Sequence, residues 1–182
     1  EAYHVPAIIV FNKADLYRKK ELEKFELVKN IYEPIGYTVK LMSIEKNIGV
    51  KEVKELLKDK TTLLSGHSGV GKSTFINYIF PELSLKTKEV SGWSGKGMHT
   101  TTFAEMFDLP FGGKIIDTPG IREMGIVDVS KNELAHYFPE MRVLINDCQF
   151  NNCLHLEEPN CAIKSAVANE TIHPLRYISY CG

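Results

Sequence analysis

Gly66-His67-Ser68-Gly69-Val70-Gly71-Lys72-Ser73 sets glycines, a lysine and a hydroxyl at the spacing G-x-x-x-x-G-K-S, whose chemistry is the holding of phosphate. Glycines let backbone N–H groups turn inward, and the helix that such a loop opens adds its positive N-terminal dipole. Gly66, Ser68, Gly69, Val70, Gly71 and Thr74 are therefore candidates for backbone contact with a nucleotide's phosphates. Lys72 is expected to reach the β- and γ-phosphates and act in phosphoryl transfer, and Ser73 to ligate Mg²⁺ through its hydroxyl.

Asn12-Lys13-Ala14-Asp15 lies earlier in the chain, at the end of an apolar run where open α/β sheets place their ligands. A carboxylate at Asp15 can accept both the N1–H and the exocyclic amine of guanine. Adenine offers no such pair of donors, so Asp15 with Asn12 and Lys13 points to GTP or GDP over adenine nucleotides. Ser43-Ile44-Glu45 stands where a Ser-Ala-Lys loop would support the base, and Ser43 alone matches that pattern.

Asp117-Thr118-Pro119-Gly120 closes a second apolar run. Asp117 would hold Mg²⁺ through water, and the Gly120 N–H would sense the γ-phosphate. Ile121 follows, where many GTPases carry a glutamine that orients the attacking water, so that role must fall elsewhere. His99 is a candidate, since an imidazole can accept a hydrogen bond from water. A solvated loop histidine is the alternative, and spacing alone does not choose between them. Of Thr100 and Thr101, we favour Thr101 as the second Mg²⁺ ligand and assign it to the catalytic set with His99 and Lys72. In an ordinary small GTPase the phosphate loop opens the domain and the base motif closes it. Here that order is rotated, which reads as circular permutation.

Cys148-x4-Cys153-x-His155-x5-Cys161 offers three thiolates and an imidazole within one short loop, a complete tetrahedral set for a structural Zn²⁺. A loop rich in Asn, Glu and Pro buries little core, so metal would supply its folding energy. Cys181 stands apart and reads as incidental. His4, His67, His136 and His173 read as structural or solvated.

These residues need a scaffold, and the hydrophobic pattern predicts one. Strands are expected at 6–11, 37–42, 61–65, 103–109 and 114–117, the first of them buried and parallel. Helices are expected at 19–31, 48–58 and 72–80, with a Ser130-x-x-Glu133 capping box before a short helix and a terminal helical segment. Alternation of strand and helix predicts a parallel α/β sheet, with a GTPase domain over 1–140 and a zinc-knuckle and helical subdomain over 141–182. Among 182 residues, 43% are hydrophobic, enough for a substantial core, and the net charge of −1 gives no global attraction to nucleic acid. Lys86, Lys88 and Lys96 form a local basic patch in an otherwise unpatterned loop, diluted by Glu82 and Glu89. No apolar stretch is long enough to span a membrane. A phosphate loop implies a nucleotide-rich compartment, hence the cytoplasm, and the clustered cysteines suit metal ligation in a reducing compartment better than disulfides.

The permuted order, the phosphate loop, His99-Thr100-Thr101, Asp117–Gly120 and the knuckle together resemble the RsgA (YjeQ) family of ribosome small-subunit-dependent GTPases. Tyr177 to Tyr180 is similar to that family's tail. The resemblance implies GTP hydrolysis stimulated by the small (30S) subunit and its rRNA during late assembly, by a monomer. It also implies a catalytic role for His99. Members carry an N-terminal OB-fold that this chain does not show. The strand and helix expected before the base motif are also largely missing, so the chain is expected to be a fragment whose sheet has a central gap. A second class of function is a GTP-regulated RNA- or protein-docking module with negligible turnover, which Ile121 favours and His99 opposes. An ATP-dependent kinase would require Asp15 to be accidental.

Overall fold

The computed structural model describes residues 4–83, 105–117 and 129–182. These fall into two compact units. One draws on Val10–Glu21 and Lys40–Met124, the other on Glu1–Ile9, Leu22–Val39 and Gly125–Gly182.

Strands β1 (Ile8–Phe11) and β2 (Thr38–Leu41) pair in a two-stranded sheet, with a 3-10 turn (Ala14–Leu16) and helix α1 (Lys19–Tyr32) between them. Helix α2 (Val50–Leu57) turns Val50, Val53 and Leu57 inward at helical spacing. A second sheet runs in the order β3 (Thr61–Leu64), β5 (Lys114–Asp117), β4 (Glu105–Asp108), with α3 (Lys72–Ile79) following β3. α2 and α3 close over this sheet in a core that includes Met42, Val53, Phe75, Ile76, Leu109 and Ile115. Ile76 and Ile115 are fully enclosed, each burial contributing roughly 1.5–3 kcal/mol.

The sheet is mixed where a parallel one is expected. β3 runs parallel to β5, but β4 and β5 are antiparallel. The reason is the short connection through Pro110 to Gly113, which cannot accommodate a parallel crossover. Leu109 N–H donates to Gly113 O at 2.9 Å, and Gly113 has φ +92°. A Cβ there would sit 2.7 Å from the Leu57 and Lys60 carbonyls, so the turn requires glycine.

β1 is not buried as its composition predicts. Ile8 and Val10 are each 37% exposed, and Leu63 of β3 is 42% exposed. No strand among the described residues joins the two sheets by hydrogen bonds.

The second core gathers Ala135, Met141, Cys161, Ile163, Ala166, Ile172 and Tyr180. It is built from α4 (Pro139–Arg142), α5 (Ala162–Ala168), α6 (Pro174–Cys181) and a 3-10 turn (Leu134–Tyr137). The Ser130–Glu133 pair forms half a capping box. Ser130 N–H and Oγ–H both donate to the Glu133 carboxylate, at 3.2 and 2.8 Å. The serine hydroxyl thus donates to the acid rather than capping an N–H, and the turn that follows is 3-10. No helix among the described residues is long and apolar enough to cross a membrane.

Candidate nucleotide site and metal centre

β3 delivers the chain into the glycine loop and α3 takes it away. Gly66, Gly69 and Gly71 have φ of +152°, +83° and +99°. Gly71 is the loop position where a side chain would be strained and would displace Asn12. It precedes α3 in the left-handed region, and a Cβ would lie 2.4 Å from Asn12 Nδ2. Lacking a side chain, it gives the first N–H groups of α3 no side-chain cap, the arrangement in which a helix N-terminus can take an anion. Val70, Lys72, Ser73 and Thr74 flank this junction, and Ser68 lies on the loop.

The base motif meets the phosphate loop across a long stretch of chain. Asn12 Nδ2 donates to Val70 O at 2.9 Å, and Lys13 Nζ to Gly69 O at 2.6 Å. Asn12 Oδ1 is buried with no hydrogen-bond partner among the described residues, at the place where the two motifs join. Lys13 takes a left-handed φ of +62°, and the Ala14 N–H that follows donates to Met42 O at 3.0 Å. Asp15 is aimed by Ser43. The Ser43 hydroxyl donates to Asp15 Oδ1 and accepts from Lys46 N–H at 3.2 Å. Ser43 is wholly buried, and a two-way bridge to Ile48 (2.9 Å each way) fixes its backbone.

Lys72 Nζ folds onto the loop, donating to Gly66 O and, at 3.0 Å, to His67 O. Asp117 ends β5 opposite Leu64, so its backbone lies beside the strand that feeds the loop. His99, Thr100, Thr101, Gly120, Ile121 and the lysines at 86, 88 and 96 lie outside the described residues.

The second cluster joins Cys148, Cys153, His155 and Cys161, whose donor atoms all lie within 4.8 Å of one another. Cys148 Sγ is 3.9 Å from Cys161 Sγ, and His155 Nδ1 is 3.6 Å from Cys148 Sγ and 3.4 Å from Cys161 Sγ. Bond lengths of about 2.3 Å for Zn–S and 2.0–2.1 Å for Zn–N predict tetrahedral edges of about 3.8 and 3.5 Å, which the Cys148, His155 and Cys161 separations match, so the cluster is compatible with zinc. Burial holds His155 below the ordinary imidazole value, in the neutral form that ligates metal. Burial, assisted by Cys161, pushes the Cys153 thiol up to about 12. Thiols so placed become thiolates only beside a compensating cation. Cys161 also begins α5, where its sulfur accepts the Lys164 N–H at 3.5 Å.

Sequence reasoning missed the residues around this cluster. Glu158 accepts N–H bonds from Leu154 and Leu156, which holds its carboxyl below the usual range. Tyr177 and Tyr180 donate to carbonyls of the same loop. Their spacing of three on a helix begun by Pro174 was the available signal. His173, expected to be structural or solvated, caps α6 by accepting the Leu175 N–H at 3.1 Å. Arg176 and Glu140 form a buried pair, Nε to Oε1 at 2.6 Å, with the guanidinium against the rings of Tyr32 and Phe138. No sequence signal marks that pair.

An α/β protein whose base motif precedes and touches its phosphate loop has the arrangement of a permuted guanine-nucleotide-binding protein. Residues 1–127 match the sequence profile of the family described as RsgA GTPase. The chain is 50% identical to the small ribosomal subunit biogenesis GTPase RsgA of Flavobacterium psychrophilum, over 99% of this chain and 55% of that protein. It is 52% identical to the protein of the same name from Cytophaga hutchinsonii, over 100% of this chain and 59% of that one. YjeQ from Thermotoga maritima superposes with a TM-score of 0.78 at 36% identity, covering 98% of this chain and 58% of its own. YloQ, described as a circularly permuted GTPase, superposes at 0.73 with 32% identity, covering 96% and 54%. The chain belongs to the RsgA GTPase family. It spans between 55% and 59% of the length of these two curated relatives.

Proposed function

We propose that this chain hydrolyses GTP as part of a small ribosomal subunit biogenesis factor, as the names of its relatives state for them. The observation that carries the reading is the pair of bonds from Asn12 and Lys13 to Val70 and Gly69, which join a base-reading segment to a phosphate-holding one. Asp15, oriented by Ser43, takes the guanine edge. Gly66 and residues 68–74 cradle the phosphates, and Lys72 leaves its loop carbonyls for the β- and γ-oxygens. Ser73 and Thr101 would hold Mg²⁺, with Asp117 acting through water; the ion, when bound, neutralises charge on the phosphates. Gly120 reads the γ-phosphate and His99 orients the attacking water. The fold in this reading is a Ras-like phosphate-loop sheet in permuted order. A GTPase domain over 1–140 precedes a subdomain over 141–182, which Cys148, Cys153, His155 and Cys161 stiffen by holding a structural zinc. Partners are the small ribosomal subunit and its rRNA, met by a monomer in the cytoplasm.

Phosphate release from GTP, with and without purified small subunits and with ATP as control, tests the reading. GTP-specific stimulation is expected. His99→Ala should cut stimulated turnover by about 10²-fold or more while GTP binding persists. Tight binding without stimulated turnover would instead identify a docking module, and ATP turnover would remove the role of Asp15.

A further inference from the structure

The peptide around His155 is fixed from both sides. Leu154 and Leu156 N–H groups donate to the Glu158 carboxylate at 2.7 and 2.9 Å. On the opposite side the Tyr177 hydroxyl donates to His155 O at 2.5 Å, and the Tyr180 hydroxyl to Leu154 O at 2.8 Å. The two tyrosines lie three apart on α6 and so face one way, with stacked rings 6.2 Å apart. Tyr180 also packs edge-on against Phe138 at 5.6 Å, which anchors it to the core. His155 itself has a φ of +61°, a conformation that persists in a non-glycine residue only where its surroundings over-determine it. In that conformation Nδ1, not Nε2, faces the thiols of Cys148 and Cys161.

We propose that Tyr177 and Tyr180 are positioning residues for zinc. Their hydroxyls lock the backbone at residues 154 and 155 so that His155 presents Nδ1 as the fourth ligand, which ties metal affinity to the docking of α6. The inference rests on the zinc reading given above. A phenylalanine would fill the same space in the core, so the hydroxyls distinguish a positioning role from packing. Without them the loop relaxes, and the ring is free to offer Nε2 or to yield its place to water. Linkage makes the effect reciprocal: if docked α6 strengthens zinc binding, zinc strengthens the docking of α6 by the same factor.

The test uses the full chain as wild type, Tyr177→Phe, Tyr180→Phe, the double variant and Ile172→Val, a core change in the same cluster that removes no hydroxyl. Zinc affinity is measured by competition with a chelator of known strength. Histidine ring ¹⁵N shifts report which nitrogen of His155 is ligated, and amide exchange reports α6 with and without zinc. Each single hydroxyl deletion should weaken zinc roughly 2- to 13-fold, the scale of one net hydrogen bond. The double variant should show mixed ligation and faster exchange in α6, while Ile172→Val matches wild type. Unchanged affinity and pure Nδ1 ligation in the double variant would overturn the proposal, as would an equal loss in Ile172→Val. A wild-type chain that takes up no zinc would overturn the underlying zinc reading as well.

Discussion

Ser43→Ala removes one oxygen and leaves the rest of the nucleotide site untouched. The hydroxyl is fully buried between Asp15 Oδ1 and the Lys46 N–H. A hydrogen bond to a charged group contributes about 1.5–3 kcal/mol, and the gap left by one oxygen is too small to admit water in its place. The change also takes from the Lys46 N–H the acceptor it has in Ser43, which adds to the loss of stability. The bond exists before nucleotide binds, so part of the loss falls on folding stability rather than on affinity. The lower bound on affinity comes from entropy: a freed Asp15 samples about three χ1 wells, of which one faces the base, costing about 3-fold. The upper bound, about 150-fold, applies if the base desolvates Asp15 so that the whole 3 kcal/mol falls on the complex. We expect GDP to bind about 3- to 15-fold more weakly by isothermal titration calorimetry, with its preference over ADP reduced by a similar factor. GDP affinity within 2-fold of wild type, with an intact fold, would refute the claim that Ser43 aims Asp15.

Gly71→Ala places a methyl against Asn12 Nδ2 in a left-handed backbone; a stability loss of about 1–2 kcal/mol in urea is expected, with nucleotide binding lost. Glu140→Ala leaves Arg176 charged and enclosed, at 10% side-chain exposure, and should cost about 3–5 kcal/mol. Glu140→Leu combined with Arg176→Met should recover most of that loss, and calorimetric melting would show it. Ser130 holds the Glu133 carboxyl below its ordinary value of 4.5 through its hydroxyl and N–H, so the folded pKa lies below the unfolded one. The stability this adds is present above the unfolded value and lost as pH falls through the folded one. Urea midpoints of Glu133→Gln and wild type should therefore differ near pH 6 and converge at the acid end.

What the sequence determined alone is the chemistry that sits in contiguous residues. The phosphate loop is legible because glycine conformations, a lysine and a helix start are all local, and the knuckle because its three cysteines and one histidine fall within one short loop. α1 and α2 follow from helical spacing of apolar residues, β3 and α3 from their places before and after the glycine loop, and β5 from a short apolar run. Hydrophobicity alone could not show that Ile8 and Val10 of β1 stay partly exposed, because coverage depends on which strands meet which edges. Tertiary structure also decided that Lys13 and Asn12 bond to the phosphate loop, that Ser43 aims Asp15, and that His155 turns Nδ1 inward under two tyrosines. Arg176 and Glu140 look like surface charges in the sequence, and only packing against Tyr32 and Phe138 makes them an enclosed pair. These contacts join residues far apart in the chain. Their geometry comes from packing the cores around them, which no local pattern encodes.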